Sequence, residues 1–454
     1  MLARGSPSTP TAPKAVGHVR TARVLSAPMS TLLDDLRARG LVQDSTDLDA
    51  LAERLDEGPI SLYYGCDPSA PSLHAGNLIG LLVLRRFADA GHRPVALVGG
   101  ATGMIGDPGG RSEERNLLDG ETLAANVAGI AAQVERVVGG VATVVNNRDW
   151  TEGIGVLEVL RDVGKHVTVN QMLAKESVKA RVQSEHGISY TEFSYMLLQA
   201  NDFWHLNAHQ GVELQIGGSD QWGNLVAGVD LVRRRSQASA HAFTWPLITR
   251  ADGAKFGKST GGAIWLDAAE TSPYQFFQYW VNVDDRDVER FLLQLTLLPV
   301  DEIRDLVAVH ADAPQERRAQ RRLAHEVTSI AHGDEAARAA AEASTVLFGG
   351  DPGDASVEAW AVVASEVETV GPPRDADLSA GLDPVALLVA TGLAKSNSDA
   401  RRLVKDGGVR ATGRRLDEGD RVTAADVRHG RYVLLARGRK AFAAVDLEKD
   451  PPSS

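Results

Sequence analysis

Short apolar runs alternating with longer stretches of helical spacing set the frame of this chain. Ile60, Leu62 and Tyr63 form a compact apolar run that stops at Gly65-Cys66-Asp67-Pro68, and Leu78, Leu81, Leu82, Leu84 and Phe87 then recur at helical intervals. The pattern predicts a strand over 60–64, a turn, and a helix over 77–90. Residues 94–98 read as a second buried strand, closing a βαβ unit. A helix over 122–138, a strand over 141–146 and a helix over 154–163 continue the alternation. A helix over 193–203 precedes a strand that starts at Val212, and Ser219 and Asp220 are cap residues for one more helix. Strands alternating with helices in this way predict an α/β fold, a Rossmann-like doubly wound parallel sheet.

Downstream the pattern changes twice. Residues 273–348 carry dense helical apolar spacing (Phe276, Phe277, Trp280; Phe291, Leu292, Leu295) and predict an all-helical unit. Residues 349–373 are rich in Gly, Pro and Asp and read as a hinge or linker. At the other end, residues 1–28 are Ser-, Thr-, Pro- and Ala-rich without periodicity, so they have no face to bury and are expected to be disordered. Their acid-poor, Arg-containing composition faintly resembles a transit peptide. Met29 directly before a helical pattern (Leu32, Leu33, Leu36) favours an upstream-extended start instead.

Charge alters the picture more than composition does. The 454 residues carry a net charge of −12, yet residues 381–445 hold 13 Lys/Arg against 7 Asp/Glu, and residues 1–28 have four basic residues and no acid. A basic module on an acidic body is an electrostatic footprint suited to RNA, although a solvated charged face accounts for the same count. No segment is apolar for long enough to span a membrane. The single cysteine, Cys66, has no internal partner for a disulfide, which points to a reducing, cytoplasmic setting.

Candidate chemistry gathers where predicted strands end. The turn before residue 77 brings amide N–H groups, His74 and Asn77 to a helix N-terminus, which favours a phosphate. Far downstream, Lys255-Phe256-Gly257-Lys258-Ser259 supplies two more cations. The glycine-dense run 99–110, which includes Asp107, follows the second strand and permits close backbone approach to a ligand. Tyr195, Gln199 and Asp202 fall at i, i+4 and i+7, so one helix face presents a phenol, an amide and a carboxylate; spacing alone fits a solvated face equally well. The strand from Val212 also ends in a glycine turn, Gly217-Gly218-Ser219-Asp220-Gln221.

Taken together, these stretches resemble the bacterial tyrosyl-tRNA synthetases from about Ser30 to the end of the chain. The run L-Y-Y-G-C-D-P-S-A-P-S-L-H-A-G-N (62–77) is similar to the first class I signature of that family, and K-F-G-K-S (255–259) to the second. Residues 99–108, 193–202 and 215–224 resemble further family blocks. Residues 383–415, with A-K-S-N-S-D-A-R-R-L-V (394–404), resemble the small RNA-binding domain first known from ribosomal protein S-four.

The resemblance implies a catalytic domain over 29–270, a helical tRNA-binding domain over 271–348, a linker over 349–380 and a small α+β RNA-binding domain over 381–447. It implies ligation of tyrosine to tRNA(Tyr) through a tyrosyl-adenylate, with ATP and Mg2+ as reactants, no permanently bound cofactor or metal, and a homodimer. His74 and Asn77, with Gly76, would hold the triphosphate on one side. Lys255 and Lys258 would close over it, and Arg111 and Arg115 would assist. Tyr63 and Asp202 would meet the phenolic hydroxyl, Tyr195, Gln199 and Asp107 the ammonium group, and Gln221 the carboxylate. Gly65, Asp67, Gly218 and Asp220 would underlie the ribose and adenine. The departures are Asn77 where many class I enzymes have histidine, Ser69 for threonine, Gly80 beside the adenine side, Cys66 at an often aromatic position, and Asn201 for tyrosine. The rival readings are a tryptophan-specific relative, a nonenzymatic RNA-binding relative and a small-molecule adenylyltransferase. Asp202 together with Tyr63 favours a phenol over an indole.

Overall fold

Two short amphipathic helices, α1 (Ser30–Ala38) and α2 (Leu48–Glu57), open the chain in a computed structural model that describes residues 30–108, 118–184, 187–251, 256, 258–259, 262–348, 352–374 and 376–451. The expected disordered stretch, 1–28, lies outside the described residues. There follow β1 (Ser61–Cys66), α3 (Leu78–Asp89), β2 (Arg93–Val98), α4 (Thr102–Ile105), α5 (Gly120–Val138) and β3 (Thr143–Asn146). Four short helices, α6 (Arg148–Thr151), α7 (Val156–Glu158), α8 (Val169–Ala174) and α9 (Glu176–Val182), lead to the long α10 (Tyr190–Gln210). Then come β4 (Val212–Gly218), α11 (Trp222–Ser236) and β5 (His241–Trp245).

The five strands pair in parallel in the order β3-β2-β1-β4-β5, so the chain winds one way from β1 to β3 and the other way from β4 to β5. A crevice therefore opens beyond the carboxyl ends of β1 and β4, where ligands bind in such sheets. This is the α/β architecture that the periodicity predicts. The first strand runs two residues further than its apolar run, because Gly65 and Cys66 still pair with Leu97 and Val98. The helix expected over 154–163 is instead α7 followed by a π turn and a 3-10 turn. Val156, Leu157 and Leu160 are exposed, so no packed face props up a regular helix there.

Helix α3 is buried almost all round, with its leucines against the sheet and Arg86 facing the next layer. Burial, helped by the nearby Arg39 guanidinium, pushes Arg86 down to about 9. Arg86 and Arg39 donate to the carbonyls of Thr296 and Leu298 and so tie the sheet layer to the helical unit. A two-residue hairpin, β6 (Lys258–Ser259) with β7 (Gly262–Ala263), bridges the two. The helical unit comprises α12 (Pro273–Val281), α13 (Asp285–Leu295), α14 (Val300–Asp312), α15 (Arg318–His332) and α16 (Asp334–Phe348), packed around Phe276, Trp280, Phe291 and Leu323.

The stretch expected as a linker over 349–380 is not one. It holds α17 (Val357–Glu366), whose Ala359, Trp360 and Val363 are fully buried, and β8 (Glu368–Val370). Its Gly, Pro and Asp sit at the ends of these elements, and that punctuation hides one turn-capped helix. The C-terminal unit adds α18 (Pro384–Ala390), α19 (Asn397–Lys405), β9 (Val409–Ala411), β10 (Arg414–Arg415), β11 (Tyr432–Arg437) and β12 (Ala441–Asp446). Its sheet has the order β10-β9-β11-β12-β8, so β8 from the supposed linker is an edge strand of this α+β unit. Trp360 stacks on Tyr432 with centroids 6.2 Å apart, which joins α17 to β11.

Candidate active site

The carboxyl ends of β1, β2 and β4 open into a cavity of about 830 Å³. Tyr63, Gly65, Asp67, His74, Gly76, Asn77, Asp107, Tyr195, Gln199, Asp202, Gly218, Asp220 and Gln221 all line it, although they come from four separate stretches of chain. Arg111, Arg115 and Lys255 lie outside the described residues, and Lys258 is described only as backbone in β6.

At the floor, Asp202 on α10 is 2% exposed. Its carboxylate accepts from Trp150 Nε1 at 2.8 Å and from Asn147 Nδ2 at 2.9 Å. Burial lifts this carboxyl to about 7 even though both donors favour the charged form. Burial and the Asp202 charge raise the Tyr63 hydroxyl well above its ordinary value, so it stays protonated. That hydroxyl and the Gln199 Oε1 atom are buried with no hydrogen-bond partner among the described residues. Unpartnered buried polar atoms are costly, and a ligand carrying a hydroxyl and a cation would satisfy both. The polar face of α10 is thus turned inward, and the solvated alternative for 195, 199 and 202 does not hold: Tyr195 is 6% exposed and Asp202 fully enclosed.

The floor is wired to the rim. Asn147 Nδ2 also donates to Thr102 Oγ1 at 2.9 Å, Thr102 Oγ1 donates to Asp67 Oδ1 at 2.7 Å, and the Tyr195 hydroxyl donates to Asp67 Oδ2 at 2.7 Å. Tyr195 therefore presents its oxygen lone pairs to the cavity as an acceptor. Asp107 accepts from Gln221 Nε2 at 2.8 Å, from Asn224 Nδ2 at 3.3 Å and from Lys175 Nζ at 3.1 Å.

At the mouth, His74 and Asn77 form a reciprocal cap. His74 Nδ1 accepts the Gly76 N–H at 3.0 Å and Asn77 Oδ1 accepts the His74 N–H at 3.1 Å. With Nδ1 accepting, a neutral imidazole carries its proton on Nε2, which makes that atom a donor. The expectation of bare amide N–H groups at this helix start is corrected, because side chains take two of them and a 3-10 turn (75–77) precedes α3. Gly76 is required here, since a methyl group would sit 2.8 Å from the His74 ring. The mouth is paired to the segment behind the second signature: Ala75 N–H donates to Ile264 O and Leu266 N–H to Leu73 O, both at 2.8 Å. Phe256, inside that signature, lines the same cavity and packs on Phe291 and Trp280 at 5.1 and 5.8 Å between centroids.

Gly80 has a local cause. A Cβ there would lie 2.3 Å from the Tyr64 ring, so the ring fills the space that a side chain at 80 would take. Tyr64 lines the cavity beside Trp245, with its hydroxyl against Asn77 and Cys66. Burial pushes the Cys66 thiol up to about 12, which keeps it protonated and inert. Sequence reasoning missed Tyr64, Thr102, Asn147, Trp150 and Lys175. Asn147 and Trp150 follow a predicted strand end, as the recognised site residues do, and that position was the available signal. Lys175 sits in a run of short helices where nothing marks it.

Residues 55–349 match the family model described as tRNA synthetases class I (W and Y), and residues 376–445 match that of a tyrosine–tRNA ligase SYY-like C-terminal domain. Over 423 residues the chain is 48% identical to a tyrosine–tRNA ligase of Opitutus terrae, covering 92% of this chain and 100% of that protein. It is 50% identical over 423 residues to one from Anaeromyxobacter dehalogenans, covering 92% and 99%. Among solved structures, a C-terminally truncated mitochondrial tyrosyl-tRNA synthetase of Aspergillus nidulans superposes with a TM-score of 0.65 at 32% identity, over 70% of this chain and 94% of that one.

Proposed function

The chain belongs to the class I tRNA synthetases of the tryptophan and tyrosine type, and from that membership we propose how its residues carry out the ligation of tyrosine to tRNA. The tyrosine carboxylate attacks the α-phosphorus of ATP, the bond to pyrophosphate breaks, and tyrosyl-adenylate forms. A hydroxyl of the terminal tRNA ribose then attacks the activated carbonyl and AMP leaves. The carboxylate is already a nucleophile, so the site has to position two anions and stabilise phosphate charge.

The observation that carries this reading is the buried, unpartnered Tyr63 hydroxyl next to the charge of Asp202. The phenol donates to the Asp202 carboxylate and accepts from Tyr63. The ammonium group meets Asp107, the lone pairs of Tyr195 and the Gln199 oxygen, and Gln221 turns to the substrate carboxylate. Gly65, Asp67, Gly218 and Asp220 underlie the nucleoside. His74 Nε2, with Asn77 and Gly76 shaping its turn, meets the phosphates from one side. Lys255, Lys258, Arg111 and Arg115 meet them from the other. Mg2+ enters this reading as part of the ATP substrate, held mainly by phosphate oxygens. Pyrophosphate exchange across the standard amino acids tests the reading: tyrosine supports it, and equal exchange with tryptophan would overturn the assignment of the pocket.

The C-terminal unit is assigned to tRNA. Arg401, Lys405 and Arg410 are exposed on α19 and β9. Replacing all three by alanine should raise KM for tRNA by about tenfold at moderate salt and flatten its salt dependence, leaving pyrophosphate exchange unaltered. Charging that keeps its wild-type KM and salt slope would remove this surface from tRNA binding.

A homodimer is supported by an apolar surface on α7–α10. Val156, Leu157, Val169, Leu173, Val182 and Tyr190 are exposed there, Leu157 at 82% and Tyr190 at 72%. Apolar side chains exposed together along one stretch of chain fit a protein interface. Light scattering should give twice the chain mass, and Leu157→Asp should halve it; a monomeric wild type at micromolar concentration would refute the dimer. A cytoplasmic site of action fits the one buried thiol, and no helix among the described residues is long and apolar enough to cross a membrane.

A further inference from the structure

We propose that Lys175 is a positioning residue for the amino-acid site, holding the Asp107 carboxylate aimed at the incoming ammonium group. The inference rests on the reading of Asp107 as the ammonium receiver.

Asp107 follows Gly106, which has a positive φ of 82°, and lies beyond the end of α4, so no regular element orients its side chain. Three side-chain donors among the described residues help to set its direction. Lys175 Nζ binds Oδ1 at 3.1 Å, while Gln221 and Asn224 bind Oδ2. Asn224 is fully buried, and its Oδ1 accepts from the same Lys175 ammonium at 2.9 Å. The lysine is thus held between two fixed acceptors. Its side chain is 5% exposed and its stem runs along the first turn of α11, where a Cβ on Gly223 would come 3.2 Å from Lys175 Cγ.

Asp107 lines the cavity, whereas neither Lys175 nor Asn224 does. Lys175 therefore approaches the carboxylate from behind and leaves the cavity side to a ligand. A buried ammonium is costly unless paired, and here the pairing serves a carboxylate in an acidic neighbourhood. Asp67, Asp107 and Asp202 all act on the Tyr195 hydroxyl between them. Without Lys175, Asp107 loses the donor on Oδ1 and can swing away from the cavity. Turned aside, it makes a poor partner for a substrate ammonium group. Lys175 itself does not touch the substrate.

The test uses the full chain and two tyrosine fragments, tyramine and 3-(4-hydroxyphenyl)propionate. The first keeps the ammonium group and the second lacks it. In Lys175→Met, the dissociation constant of tyramine should rise about tenfold or more while that of the propionate stays within about twofold, because the effect passes through Asp107 alone. KM for tyrosine should rise with it, with little change in kcat for pyrophosphate exchange. Lys175→Gln, which can still donate to Asp107 but carries no charge, should fall between the two and serves if the Met variant does not fold. Equal weakening of both fragments would mean a merely structural lysine, and tighter tyramine binding would mean a competitor for the carboxylate; either overturns the proposal. Asp107→Asn is the separate control. If it fails to distinguish the two fragments, the ammonium assignment itself is wrong, whatever Lys175 does.

Discussion

Asp202→Ala is expected to abolish most of the enzyme's discrimination against phenylalanine. A site built to hydrogen-bond a substrate hydroxyl rejects the analogue lacking it by about 10⁵, a figure known for this enzyme class and not deduced from the present geometry. The structural reason is visible in the burial. Asp202 is 2% exposed and the Tyr63 hydroxyl has no partner among the described residues, so a phenylalanine ring would leave that hydroxyl stranded and give the carboxylate no phenol donor. Alanine removes the acceptor, and the ratio of kcat/KM for tyrosine over phenylalanine should fall by roughly 10²–10³, mostly through tyrosine. A ratio that does not change would move the hydroxyl reader elsewhere.

The same carboxyl sets a pH dependence. Because burial raises it to about 7, its ionised form, the better acceptor for a phenol, is lost as pH falls through that value. KM for tyrosine should rise below pH 7 in the wild type and stay flatter in the alanine variant. The linkage to stability has the opposite sign. A carboxyl raised in the folded state stabilises the fold fully below its unfolded value of about 4, and that contribution disappears as pH climbs to about 7. The difference is about 4 kcal/mol at most, so the Tm of Asp202→Ala relative to wild type should improve from pH 4 to 7. A binding site that needs a buried carboxylate thus works at some expense to its own fold.

Lys258→Ala should lower kcat for tyrosine-dependent pyrophosphate exchange by about 10²–10³, the usual loss for one electrostatic contact to a transition state. Tyrosine binding should change by less than about twofold, because the groups proposed to hold the amino acid lie on β1, α10 and the turns after β2 and β4, away from the hairpin. The segments flanking the hairpin are nevertheless anchored, one of them at the His74 turn. Residues 264–266 pair with 73–75, and Phe256 is wedged against Phe291. Full exchange activity in the variant would take this loop out of the mechanism.

The parts of the site that lie at strand ends were legible in the sequence. Tyr63, Asp67 and Asp107 follow apolar runs, glycines mark where backbone bends toward a ligand, and parallel winding brings such ends to one crevice. The polar face of α10 could not be assigned from spacing, because i, i+4, i+7 polarity describes a wet face and a buried site alike. Burial alone separates them, and burial depends on Asn147 and Trp150 arriving from the segment after β3. Trp360 shows the same limit in the fold: an apolar residue among Gly, Pro and Asp reads as linker until the strand carrying Tyr432 is there to receive it. Lys175 left no trace in the sequence because a long side chain reaching from the bend between two short helices to a distant carboxylate obeys no local periodicity. The stretch from Tyr63 to Asn77 also changes in meaning. His74 and Asn77 first shape their own turn, and the donor proposed for phosphate is Nε2 of His74.

A crystal structure of the chain with a non-hydrolysable tyrosyl-adenylate analogue tests the central claim most directly. The account predicts the phenolic oxygen between Tyr63 and Asp202, the ammonium group on Asp107 and Tyr195, and the phosphate facing the His74 turn. An aromatic ring lodged elsewhere in the cavity, with the Tyr63 hydroxyl and Asp202 untouched, would contradict it.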